Sequence, residues 1–79
     1  MVTVRYWAGA RAAAGCEEEA VDAGTVGDLM ATIGARPELA RLLRAASLLV
    51  DGTSVRREDT DHPLPHGSVV DVLPPFAGG

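Results

Sequence analysis

Apolar and polar residues alternate from the second position onward. "VTVRYWA" puts Val2, Val4 and Tyr6 on one side and Thr3, Arg5 and Trp7 on the other. A period of two predicts a strand with one buried face. "GARAAAG", Gly9 to Gly15, breaks the pattern and reads as a loop with room for one helical turn. It lacks the Gly-Lys-Ser/Thr ending of a phosphate-binding loop. "CEEEAVDA" is a second strand candidate, close enough in sequence to be the hairpin partner of the first. Glu17, Glu18 and Glu19 would alternate between its faces, which predicts a solvated edge strand whose charge opposes sheet-to-sheet pairing. No histidine or second acidic cluster stands beside them to complete a metal-ligand set.

At Thr25 the period changes. "TVGD" has a hydroxyl to cap a helix and an acid three residues later, near the positive end of the helix dipole. Val26, Leu29, Met30 and Ile33 then recur at helical spacing, and Gly34 stops the run. A second helical segment starts at Pro37, a favoured first helical residue, with Leu39, Leu42 and Leu43 on one stripe. These stripes are core-facing surfaces.

"SLLVDGTSV" carries Asp-Gly between two apolar runs, a strong hairpin signal. "RREDTDHPLPHG" is polar and rich in proline, a connecting loop from which Leu64 is expected to plug into the core. His62 and His66 are four apart, but the prolines between them exclude a helix that would align them as metal ligands. "SVVDVLP" is the last strand, with Val70 and Val72 on one face and Val69, Asp71 and Leu73 on the other. Two strands, a helix in two pieces, two short strands, a loop and a final strand make an α+β arrangement. Its most economical form is the ubiquitin-like β-grasp: a mixed sheet, the first and last strands parallel at its centre, packed on the helix. Residues 1–75 form that domain, and residues 76–79 are expected to be a flexible tail.

Composition narrows the classes of function. Seventy-nine residues allow one domain near the lower size limit for a self-sufficient core. The net charge is −4, and all seven basic residues are scattered arginines. Nucleic-acid binding needs clustered positive charge, so it is excluded from the reading. The acidic balance suits a partner surface of opposite sign. With no lysine, the chain has no side-chain amine to accept an isopeptide bond. Cys16 is the only cysteine, which fits a reducing, cytoplasmic setting, and it reads as a small structural residue. No window is apolar enough to span a membrane, and no signal peptide is recognisable.

If the valine faces of the first and last strands meet the helix, Trp7 and Leu73 point away from it and form an exposed apolar patch. Such patches mark partner surfaces, and Trp is a favoured anchor. Just beyond, Pro74 and Pro75 cannot donate ladder hydrogen bonds, so the sheet ends there. They also hold an extended conformation with little entropy left to lose on binding. Phe76, Ala77, Gly78 and Gly79 then reach roughly 13 Å, at about 3.3 Å per residue. A segment stiff at its root and thin at its tip can enter a narrow tunnel. The carboxylate of Gly79 is its one chemical handle. Adenylation would make that carboxylate a mixed anhydride, and a sulfur nucleophile could displace AMP to leave a thiocarboxylate. A terminal glycine leaves the attack trajectory uncrowded.

"VVDVLPPFAGG" resembles the C-terminal signature of the MoaD/ThiS family of sulfur carriers, and its Pro-Pro-x-x-Gly-Gly form is nearest the MoaD branch, the small subunits of molybdopterin synthase. The resemblance covers the whole chain. "VTVRYWAGARAAAG" matches the family's opening strand and loop, "LLVDG" its middle hairpin, and "DHPLPHGSVVDV" its approach to the last strand. Two features depart from it: Val72 and Leu73 stand where an aromatic pair is common, and Gly67-Ser68 replaces the usual Gly-Asp turn.

The resemblance implies a carrier that is not catalytic alone and binds no cofactor permanently, ATP being used by the activating partner. Gly79, with Gly78 beside it, would be adenylated by an E1-like enzyme. It would receive sulfur from a donor such as a cysteine desulfurase or rhodanese-type protein. The tail would then insert into the large subunit of molybdopterin synthase and supply sulfur for the dithiolene of molybdopterin. Trp7 and Leu73 match hydrophobic positions that contact partners in the family, and Pro74, Pro75, Phe76 and Ala77 lead the tail into them. The alternatives are a carrier for thiamine, cysteine or another sulfur metabolite, and a ubiquitin-like modifier or interaction module.

Overall fold

The computed structural model describes residues 1–75, so the tail expected over residues 76–79 lies outside the described residues. Eight elements follow in order: β1 (Val2–Tyr6), α1 (Gly9–Ala14), β2 (Glu18–Val21), α2 (Val26–Ile33), α3 (Pro37–Leu43), β3 (Ser47–Val50), β4 (Thr53–Val55) and β5 (Val69–Leu73). The strands form one mixed sheet in the order β2-β1-β5-β3-β4. β1 and β5 run parallel, Val4 opposite Val70 and Tyr6 opposite Val72, and the other pairs are antiparallel. This is the ubiquitin-like β-grasp anticipated from the alternation.

One face of the sheet meets the helices. Val4, Val70 and Val72 are fully buried there with Leu29, Ile33 and Leu39, while Val2, Tyr6 and Leu48 are within two per cent of full burial. Thr25 caps α2 by accepting from the Asp28 N–H at 3.1 Å, and the Asp28 carboxylate accepts from the Gly24 N–H at 3.2 Å. The loop before β5 satisfies two more first-turn donors: Val26 N–H donates to the His62 carbonyl and Gly27 N–H to that of Thr60. A β-carbon on Gly27 would lie 3.0 Å from Thr60 Cβ, so glycine is what lets loop and helix approach this closely. The same loop delivers Leu64, 4% exposed, into the core as its pattern suggested. His62 and His66 do not share a site: His62 Nδ1 lies 3.8 Å from Asp59, and His66 Nδ1 lies 3.2 Å from the terminal amine of Met1.

The Asp-Gly hairpin also forms. Asp51 and Gly52 both take positive φ, 49° and 85°, as a tight two-residue turn that follows the twist of its strands requires. Asp51 adds a second role, since its carboxylate accepts from the Val69 N–H at 2.8 Å and pins the start of β5.

Two expectations need correction. The segment after β1 is a six-residue helix rather than a loop with a single turn, and it ends at Gly15 in the left-handed conformation. Three alanines in a row favour helix, and burying Ala10 supplies the tertiary contact that so short a helix needs. Glu19, read as one of three solvated acids, is only partly exposed. It accepts from the Tyr6 hydroxyl at 2.5 Å and forms an ion pair with Arg36. Arg36 also donates to Tyr6 Oη and to the carbonyl of Ala14, each at 3.2 Å. One guanidinium thus ties β1, β2, the end of α1 and the start of α3 together. Burial first, and then the bond to Glu19, push the Tyr6 phenol well above its usual pKa.

Candidate functional site

The face of the sheet away from the helices carries the residues singled out by alternation. Because Tyr6 pairs with Val72, Trp7 and Leu73 emerge as neighbours at the ends of β1 and β5, and Trp7 N–H donates to the Val72 carbonyl at 3.2 Å. Trp7 is 41% exposed and Leu73 half-buried. Leu49 and Val69, also half-buried, share this face by register. The chain leaves the sheet immediately afterwards. Pro74 is half-buried and Pro75 exposed, and both line a shallow groove with Leu42 and Ala45 from the α3 side. Trp7 and Leu73 therefore lie together at one end of the open face, and the chain beyond them turns through Pro74 and Pro75 toward α3. Phe76, Ala77, Gly78 and Gly79 are outside the described residues.

At the centre of this face the structure adds charge. Asp71, in the middle strand of the sheet, is 6% exposed and sits opposite Arg5 on β1 and Leu49 on β3. Arg5 donates to it through two nitrogens, at 2.7 and 3.0 Å. Trp7 Nε1 donates to the same carboxylate at 2.8 Å, and the Arg5 guanidinium lies 5.7 Å from the centre of the indole ring. Three charge-assisted bonds satisfy a carboxylate that would otherwise be costly to bury. The bonds from Arg5 hold the Asp71 carboxyl below its usual range; burial opposes them, and the Trp7 bond adds to the lowering. The same bonds raise the Arg5 guanidinium.

The apolar patch read from sequence is thus an indole and three aliphatic side chains around a neutralised ion pair. Alternation assigned Arg5 and Asp71 to this face without indicating that they meet. The available signal was the acid itself: a lone aspartate in "VVDVL" must find a donor if the strand is central. Beside Trp7, a concave notch is lined by Arg5, Arg11, Glu17 and Glu18, with Arg11 Nη1 3.5 Å from Glu17. Among the described residues nothing in the arrangement pairs a nucleophile with a base. What it offers is a partly exposed apolar surface where β5 ends.

The chain matches the ThiS family over residues 4–79. No curated protein matches it. Among solved structures it is similar to a putative molybdopterin converting factor, subunit 1, from Pyrococcus furiosus, at 31% identity over 95% of this chain and 97% of the other, with a TM-score of 0.72. Its fold also resembles the small archaeal modifier protein 1 of Methanosarcina acetivorans, at 23% identity over 99% and 95% of the two chains and a TM-score of 0.85. A chain of the BexX/CysO complex of Amycolatopsis orientalis matches at 24% identity over the full length of both, with a TM-score of 0.80. From Val4 through the Gly-Gly end, therefore, the chain belongs to the ThiS family of β-grasp sulfur carriers.

Proposed function

We propose that this protein is a sulfur carrier whose Gly79 carboxylate is adenylated, converted to a thiocarboxylate and used to supply sulfur for molybdopterin. The observation that carries this reading is the coincidence of three features at one end of the sheet: the exposed Trp7, the exit of β5 at Leu73, and a double proline leading to Gly78-Gly79, where the family match also ends. In the first step a carboxylate oxygen attacks the α-phosphorus of ATP and pyrophosphate leaves. In the second, the outer sulfur of a donor persulfide attacks the acyl carbon and AMP leaves; a thiol then cleaves the S–S bond of the resulting acyl disulfide, which frees the thiocarboxylate and leaves a disulfide on the donor side. Both steps take place on an E1-like partner, to which this chain contributes a substrate terminus and a docking surface. The sulfur would come from a desulfurase or rhodanese-type donor. The acceptor would be the large subunit of a molybdopterin synthase, and the setting is the cytoplasm. The 31% identity with the converting-factor subunit supports the molybdopterin branch.

The full-length match with the BexX/CysO complex favours a second reading, a carrier that serves another sulfur metabolite through the same thiocarboxylate. Two experiments separate these. Whole-protein mass spectrometry after incubation with the adenylating enzyme, ATP and a sulfur donor should show one oxygen replaced by sulfur, and an unchanged mass rejects both. Complementation of a strain lacking its molybdopterin carrier should restore the cofactor; failure with an intact thiocarboxylate moves the protein to the second reading.

A further inference from the structure

We propose that Asp71 is the positioning residue of the docking face. It fixes the Trp7 indole and the Arg5 guanidinium as one preformed ledge, and so selects a partner that sets an apolar surface on the indole and an oxygen acceptor against Arg5. The inference rests on the reading of this face as the carrier's docking surface.

An exposed Trp held only by its backbone samples several rotamers, and ordering it on binding reduces affinity. Here the rotamer is already chosen. The indole N–H is anchored 2.8 Å from Asp71 Oδ1, one ring face lies against Arg5, and 41% of the residue remains open to a partner. The backbone beside it is constrained as well. Ala8 adopts φ 49° and ψ −124°, where an L-residue is strained, and the turn it forms closes with the Ala10 N–H donating to the Trp7 carbonyl at 3.0 Å. Asp71 holds Arg5 equally firmly. Nε and Nη2 are spent on its two oxygens, while among the described residues no acceptor meets Nη1. That outward edge is where a partner's carbonyl or carboxylate would bind.

A carboxylate is required because it accepts at both oxygens. Arg5 Nε and Trp7 Nε1 share Oδ1, and Arg5 Nη2 uses Oδ2. An asparagine keeps one acceptor and turns an NH2 group on one of these donors. In either orientation Asp71→Asn loses at least one of the three bonds and removes the charge that strengthens the others, which should loosen the ledge while nearly preserving volume.

The test uses the full chain as the varied substrate of the adenylating enzyme from the same organism, followed by pyrophosphate release, alongside acrylamide quenching of Trp7, the single tryptophan. Asp71→Asn should raise KM roughly three- to tenfold, the range expected when one side chain must be newly ordered on binding. The effect should fall on KM rather than kcat, and Trp7 should become more accessible to quencher. Wild-type KM and quenching in a folded Asp71→Asn chain overturn the inference. Should that variant not fold, Trp7→Phe decides, because it removes the indole N–H and keeps an aromatic ring at an exposed position. A raised KM supports the anchoring, and a wild-type KM overturns it. Trp7→Ala separates the layers. If it leaves KM unchanged, the docking-face reading fails and this inference with it. If it raises KM while Asp71→Asn and Trp7→Phe do not, the docking face stands and the positioning role alone is lost. No turnover of the wild-type chain overturns both.

Discussion

Tyr6→Phe removes a single oxygen from the most buried aromatic side chain among the described residues, so its effect isolates the network beneath β1. Tyr6 is 1% exposed; its hydroxyl donates to Glu19 at 2.5 Å and accepts from Arg36 at 3.2 Å. A hydrogen bond to a charged group contributes about 1.5–3 kcal/mol net. The Glu19–Arg36 ion pair survives the substitution, which argues for about 2 kcal/mol rather than the sum of two bonds. In a domain of this size that is a fall in Tm of about 10 °C. The pH profile gives a second, independent reading. Burial raises the Glu19 pKa, but the bonds from Arg36 and Tyr6 outweigh it and the value falls below its ordinary one. Stability from a depressed carboxyl is present above its unfolded pKa of about 4.3 and is lost as pH falls through the folded value. Tyr6 is shifted upward, so its share is present below about pH 10 and is lost as pH rises through the folded value. The gap between wild type and Tyr6→Phe should therefore be widest between about pH 5 and pH 10 and narrow on both sides. Thermal melts followed by circular dichroism across that range measure it. A variant that melts with wild type, or a gap that ignores pH, would refute the role given to this hydroxyl.

Leu64→Ala should destabilise by about 2–4 kcal/mol, since the loop that carries Leu64 has few ways to refill the space; urea titration with an unchanged m-value is the check. Ala8→Gly should stabilise by about 0.5–1 kcal/mol, the relief of a left-handed L-residue less the entropy glycine loses on folding, and a higher Tm would show it. Appending one alanine after Gly79 should abolish thiocarboxylate formation by mass spectrometry while leaving the melting curve in place. Full sulfur loading of that variant would count against the carrier reading.

Local pattern in the sequence reached a long way into this protein. The faces of β1 and β5, the capped start of α2 at Thr25, the proline start of α3, the Asp51-Gly52 turn and the Leu64 plug all follow from periodicity or turn chemistry, which act within a few residues of themselves. The end of β5 before Pro74 and Pro75 is legible for the same reason, because proline carries its backbone preference wherever it stands. What alternation could not supply was pairing. It placed Arg5, Trp7 and Asp71 on the open face, but the carboxylate lies 66 and 64 residues away from its donors. Only the parallel register of β1 on β5 brings them together. Glu19 shows the same limit from the other side: three acids in a row look solvated until Tyr6 and Arg36, 13 and 17 residues away, arrive beside one of them. A polar side chain in a strand reveals which way it points; whether it meets water or a partner is set by neighbours that folding delivers from elsewhere in the chain.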